Sequence, residues 1–173
     1  TGLNNVNGNL RIIIDTMKTL QTGNYFRKDD MIDYSTGILE FLHNNGYMNA
    51  TLKTDSGYVI LKKDSTVNIT INFVRADTTY RFGKTEIIID SNVYDVSREF
   101  LSNGIAYNEG DIYSKKKRLD TEKNISQMPI IRSVRIRTSS IEKDVVNLKV
   151  DCRLSNRQEF TPFIEGTNIS NYF

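Results

Sequence analysis

The side chains able to do chemistry are few and far apart. The chain holds one histidine, His43, and one cysteine, Cys152. A zinc site would have to be built almost wholly from carboxylates, and no intramolecular disulfide is possible. His43 stands in "FLHNNG", where a helix stops, and a surface imidazole near a helix C-terminus accounts for it better than a ligand or a base. Cys152 alternates with Val150 and Leu154 and reads as a small core hydrophobe. Asp29, Asp30 and Asp111 read as caps, with no nucleophile or base spaced to work beside them. No phosphate loop, triad or metal spacing is present. "NAT", "NIT" and "NIS" match the glycosylation pattern, as chance allows in an Asn-rich chain. What remains is "SKKKR", residues 114–118. Three lysines in a first helical turn oppose the helix dipole, so Lys115, Lys116, Lys117 and Arg118 are candidates for a patch meeting lipid phosphates or an acidic partner. A solvated helix start is the plainer account of the same run.

Composition narrows the partners. The 173 residues suffice for one ordinary domain or two small ones of roughly 80 residues each. Charge is balanced, 23 basic against 21 acidic side chains, which argues against nucleic acid. A KH-type module would also need a GxxG loop between its helices, and neither "EGDIYS" nor "GNYFRK" supplies one. No apolar run approaches the ~18 residues of a membrane-spanning helix. The opening "TGLNNVNGN" carries no signal peptide, and a mature or excised fragment is expected.

The elements that must position any site follow from periodicity. Leu10, Ile13, Ile14, Met17 and Leu20 fall on one helical face, ended by Gly23. A second helix starts with Asp29 or Asp30 as N-cap, carries Met31, Ile32, Ile38, Leu39, Phe41 and Leu42, and stops where Asn45 and Gly46 suit left-handed backbone. A strand over about 47–61, interrupted by "DSG", precedes "TVNITINFV", which places Val67, Ile69, Ile71 and Phe73 on one face. The order then recurs. "YRFGKTEIIID" is a strand with Thr85, Ile87 and Ile89 on one side. "NVYDVSREFLSNG" is a helix with Val93, Val96, Phe100 and Leu101 inward and Gly104 as its stop. Ser114 caps a helix carrying Ile125 and Met128, which Pro129 ends. Two strands close the unit, with Val134 and Ile136 inward in one and Val146, Leu148, Val150 and Cys152 inward in the other.

This is an internal repeat. An offset of 87 aligns Gly23 with Gly110, Phe26 with Tyr113, Ile38 with Ile125 and Phe41 with Met128. "VNITI" answers "VNLKV" at an offset of 79, so the first unit has the longer hairpin loop, and its leading strand is either truncated or drawn from "TGLNNVN". Each unit buries two helices on one face of a three-stranded sheet and leaves the other face wet.

Phe82, Gly83 and Glu86, then Gly110, Tyr113 and Ser114, then Thr121, Ile125 and Met128, then Ile130, Ile131 and Val134 resemble a polypeptide-transport-associated (POTRA) domain. The closing "FIEGTNISNYF", with Glu165, Gly166, Thr167 and Asn168, is similar to the entry into the first barrel strand of bacterial outer-membrane assembly and translocation factors. "FLHNNGYMNA" and "VNITINFV" carry a looser match in the first unit. Arg118 departs from the pattern, at a position more often apolar, and a snorkelling aliphatic stem would absorb it. Met128-Pro129 departs from the usual Leu-Gly and still stops the helix. The resemblance implies an α+β chain of two tandem POTRA units, β-α-α-β-β, each a three-stranded mixed sheet with two helices on one face. They span residues 1–78 and 79–159, with 160–173 leading to a β-barrel. It implies no enzyme and no cofactor, and a place on the periplasmic face of the bacterial outer membrane. The implied partners are unfolded outer-membrane polypeptides, accessory periplasmic lipoproteins and the protein's own barrel, with no nucleic acid. The POTRA region of a two-partner secretion transporter, or a free-standing periplasmic interaction module, are the alternatives.

Sheet physics locates the contact. The last strand of each unit must be central, so the strand after the second helix is an open edge able to accept an extended chain. That selects Ser133, Val134, Arg135, Ile136, Arg137 and Thr138 first, with Arg135 and Arg137 on the wet face. Met48, Asn49, Ala50, Thr51, Leu52 and Lys53 come second. The same arginines also read as guards of an ordinary edge against aggregation.

Overall fold

The computed structural model describes residues 3–17, 23–53, 58–62, 66–90 and 96–155, in a mixed α and β order. The expected barrel threshold at 160–173 lies outside them. Two hydrophobic cores form, one from residues up to Ala76 and one from Tyr80 onward with Met48 leaning on it.

In the first core, α1 (Gly8–Thr16) is capped by Asn7, whose side chain accepts the Asn9 N–H at 3.0 Å. Ile14 is buried with Leu10 and Met17 packed alongside, as the spacing predicts. Ile13 turns to solvent, and Leu20 lies outside the described residues. Helix α2 (Lys28–Asn44) buries Ile38 and Leu42, while Ile32 is exposed. Its N-cap is Arg27, with no side-chain cap, rather than Asp29 or Asp30. Both aspartates sit in the first turn, where their charge meets the positive end of the helix. After α2, Gly46 takes the left-handed conformation (φ +96°), and Asn45 does not (φ −118°).

The strands here are shorter than expected. The 47–61 stretch condenses to β1 (Thr51–Leu52) and β2 (Tyr58–Leu61), and "TVNITINFV" splits into β3 (Val67–Thr70) and β4 (Phe73–Val74). Leu52 pairs with Phe73 and Tyr58 with Thr70. Five residues separate Leu52 from Tyr58 but only two separate Thr70 from Phe73, so no single register carries both ladders. Residues 3–7 include a turn with Val6 buried, not a leading strand. Among the described residues this half therefore holds two two-stranded ladders instead of a three-stranded sheet.

The second core has the expected sheet. Strands β5 (Arg81–Asp90), β6 (Ile131–Glu142) and β7 (Val145–Leu154) lie in the order β5-β7-β6, with β7 parallel to β5 and antiparallel to β6. Val146, Leu148, Val150 and Cys152 alternate into the core and are fully buried, each aliphatic worth about 1.5–3 kcal/mol. Phe82 stacks on Tyr107 at 3.7 Å and leans on Tyr113 at 5.0 Å. Helix α3 (Arg98–Ser102) is only five residues long, capped by Ser97, whose hydroxyl accepts the Glu99 N–H at 3.1 Å. So short a helix has one inward position. Leu101 fills it and Phe100 turns outward, with Val96 packed beside the core and Val93 outside the described residues. Gly104 is not left-handed; a Cβ there would lie 2.6 Å from Ile125 Cγ1, so close helix approach requires it. Helix α4 (Lys115–Ser126) starts at Ser114 as predicted, with the Ser114 hydroxyl accepting the Lys117 N–H at 3.3 Å.

The 87-residue offset holds in the backbone. Gly23 and Gly110 both have left-handed φ, +93° and +89°, and Ile38 and Ile125 are both fully buried.

Candidate functional site

Strand β6 flanks its sheet along all twelve residues, and no described strand covers its outer side. Within Ser133–Thr138, Val134 and Ile136 turn toward the core while Ser133, Arg135 and Arg137 face solvent. The period of two produces this division. On the wet face Arg137 makes a two-pronged contact with Asp151 at 2.7 and 3.1 Å, which holds its guanidinium further toward the charged form. Lys149–Glu86 and Arg153–Asp90 each lie at 3.6 Å. Exposed pairs like these contribute about 0–1 kcal/mol each. Arg135, opposite Asp151 in the ladder, makes no ion pair among the described residues. Asn147 ties the three strands together. It accepts the Lys84 N–H at 2.8 Å and donates to Ser140 Oγ at 3.0 Å and Glu142 Oε1 at 3.4 Å.

An open groove of about 470 Å³ runs between β6 and α4, lined by Leu119, Glu122, Lys123 and Ser126 from the helix and Ser133 and Val134 from the strand. Leu119 is exposed at its side. Arg118 does not snorkel outward. Its guanidinium reaches inward to donate to the Ile136 carbonyl of β6 at 3.3 Å, and its buried Nε has no partner among the described residues. Beside it, burial pushes the Tyr107 and Tyr113 hydroxyls up in pKa, and the Arg118 charge partly offsets this. Tyr107 shares a 2.9 Å hydrogen bond with Thr85. Burial likewise raises the Cys152 thiol, in keeping with a core role.

The basic run divides. Lys115 and Lys116 are exposed, whereas Lys117 pairs with Asp111 at 2.8 Å and Arg118 turns inward. The hydrogen bond from Lys117, and then the Asn108 N–H at 3.1 Å, hold the Asp111 carboxyl below the usual carboxylate range. Asp111 thus closes the 108–111 turn and caps no helix.

The second candidate edge is replaced by a joint between the cores. Met48 and Asn49 lie in a turn, Ala50 is buried, and only Thr51–Leu52 form strand. Two residues are too short to template an incoming chain. His43 is half-buried and structural. Its Nε2 lies 2.8 Å from the Ala50 carbonyl, which requires the proton on that nitrogen. Asn49 donates to the Tyr80 hydroxyl, and the Tyr80 N–H to the Gly46 carbonyl, both at 2.8 Å. The Asn44 side chain at the end of α2 accepts the Lys116 N–H at 2.8 Å and the Ser114 hydroxyl at 3.3 Å. It caps α4 from the other core, which offsets the cost of three lysines at that helix start. Sequence reasoning missed Asn44 and Asn147, and no local pattern marks a partner so distant along the chain.

No family model matches this chain, and no curated protein does. Solved structures do. The chain is similar to BamA from Haemophilus ducreyi lacking POTRA domains 1–3, at 17% identity and a TM-score of 0.68, covering 86% of this chain and 27% of that one. It is similar to BamA POTRA3–5 of Haemophilus influenzae at 17% identity and a TM-score of 0.58, covering 88% and 57%. The chain thus spans less than two thirds of either. The β5-α3-α4-β6-β7 order, its central β7 and this likeness together identify the fold of the chain as that of POTRA domains.

Proposed function

We propose that the chain is two tandem POTRA units, residues 1–78 and 79–159, of an outer-membrane protein assembly or translocation factor. It works on the periplasmic side, ahead of a C-terminal β-barrel reached through 160–173. Its role is binding and guidance of unfolded outer-membrane polypeptide, not catalysis, and accessory periplasmic lipoproteins are further partners. The observation that carries this is the open edge of β6 beside the α4 groove. An extended chain adds there as a fourth strand through its main-chain groups, whatever its sequence, and drops alternate side chains beside Leu119 and Val134. Arg135 stands ready for an acidic or backbone acceptor on that strand, and the arginines also limit uncontrolled pairing.

The test is site-specific photocrosslinking to a urea-denatured outer-membrane barrel protein diluted into buffer. A crosslinker at Arg135 should capture it well above one at Glu40, exposed on α2 of the first core. Equal capture at both positions would remove the edge from the account.

A further inference from the structure

Two arginines reach the same sheet and are satisfied very differently. On the wet face Arg137 grips Asp151 with one side of its guanidinium, through Nε at 2.7 Å and Nη2 at 3.1 Å. On the helix side Arg118, in the first turn of α4, makes no ion pair among the described residues. Its Nη1 donates to the Ile136 carbonyl at 3.3 Å, just past the usual N–H···O range. Its Nε is buried and has no partner among the described residues. The side chain is half-buried beside Tyr107 and Tyr113, and neither neutral phenol supplies a counterion. Glu122, one turn on, lines the groove with Ser133 and Val134, has Lys123 beside it, and does not pair with Arg118. A charge drawn out of water and a buried donor left unmade are both destabilising. Arg118 is therefore held at the β6 edge by one weak contact, with its best carboxylate-binding side unused.

We infer that Arg118 is a specificity-determining residue of the β6 edge, selecting extended segments that carry an Asp or Glu side chain on the helix side beside Ile136. The inference rests on the strand addition proposed above and names what the added strand must contain. An incoming strand brings a main-chain N–H to the Ile136 carbonyl and displaces the Arg118 Nη1 from it. The released guanidinium turns into the groove, and its Nε, no longer covered, needs an acceptor. A carboxylate there offers two oxygens to the Nε and Nη2 side, the grip that Arg137 already has on Asp151. A neutral amide offers one oxygen and no charge. A segment lacking the carboxylate must still displace Arg118 and gains nothing in return, so the same residue attracts one class of strand and resists the others. Arg135, on the opposite face, plays no part in this choice of helix-side residue.

Fluorescence anisotropy with two labelled peptides tests it. Both alternate Val and Thr, and one central Val is replaced by Glu in the first and by Gln in the second. The expected result is binding of the Glu peptide to the wild-type protein about tenfold tighter than the Gln peptide. Arg118→Met should bind the two alike, and Arg118→Lys should keep only a small part of the preference, since an ammonium cannot make the two-pronged contact. Cys152 is buried, so its silence toward maleimide shows that each variant is folded. Equal affinities in the wild type, or a preference that survives Arg118→Met, overturn the role of Arg118. Photocrosslinking from Arg135 is a separate readout: capture of both peptides there keeps the edge while the selectivity falls. Binding of neither peptide, with no capture at Arg135, removes strand addition and this inference together.

Discussion

At the residue scale, single acceptors and single glycines hold the joint. Asn44→Ala removes the acceptor for the Lys116 N–H, and the loss of such a cap costs about 1 kcal/mol. Chemical denaturation should show that loss, and Lys116 should exchange its amide faster; unchanged exchange would exclude Asn44 as the cap. Gly46→Ala should cost about 1 kcal/mol or more, since φ +96° is left-handed and the new Cβ would meet Thr79 Cγ2 at 2.5 Å. Asp111 predicts a pH effect. Its folded pKa lies below the ordinary carboxylate value, so its contribution is present above that value and is lost as pH falls through the folded one. Acid unfolding followed below about pH 4 should be less steep in Asp111→Asn than in wild type. Ser114 was legible as a cap because a serine before a helical run is a local signal. Asn44 was not, because its partner lies across a fold that local spacing does not encode. Arg118 misled for a similar reason: the Ile136 carbonyl that draws it inward is visible only after β6 has packed on α4.

At the element scale, β7 is the keystone and the N-terminal ladders are the weak part. Leu148→Ala empties a fully buried position on the central strand and should cost about 2–5 kcal/mol, read as a shift in the denaturation midpoint of the second core. Thr51 and Leu52, in a two-residue strand, should exchange their amides far faster than Val146–Cys152; comparable protection would contradict the short ladder described here. The alternation of β7 was plain in the sequence because all its inward side chains meet one continuous core. The same alternation in 67–73 was equally plain, yet the strand breaks. Five residues lie between Leu52 and Tyr58 against two between Thr70 and Phe73, and side-chain period does not report the length of the opposite side. Helix α3 is shorter than its apolar residues suggested, since Ser97 takes an extended conformation and caps it there.

At the scale of the whole molecule, two cores meet at a joint, and the sheet of the second has two edge strands, β5 and the longer β6. Fold and edge were both legible, since strand order and the helix pair follow from periodicity and turn residues. The joint was not, and it turns Met48 and Asn49 from an expected binding edge toward the second core and Tyr80, while Ala50 is buried in the first core. That leaves β6 as a twelve-residue edge with a groove beside it. The most direct measurement is residue-resolved amide exchange of the protein with and without a denatured outer-membrane barrel segment. New protection across Ser133–Thr138, with little change at Thr51–Leu52, is the result predicted. A bound segment that leaves the β6 amides as exposed as before would contradict strand addition at this edge.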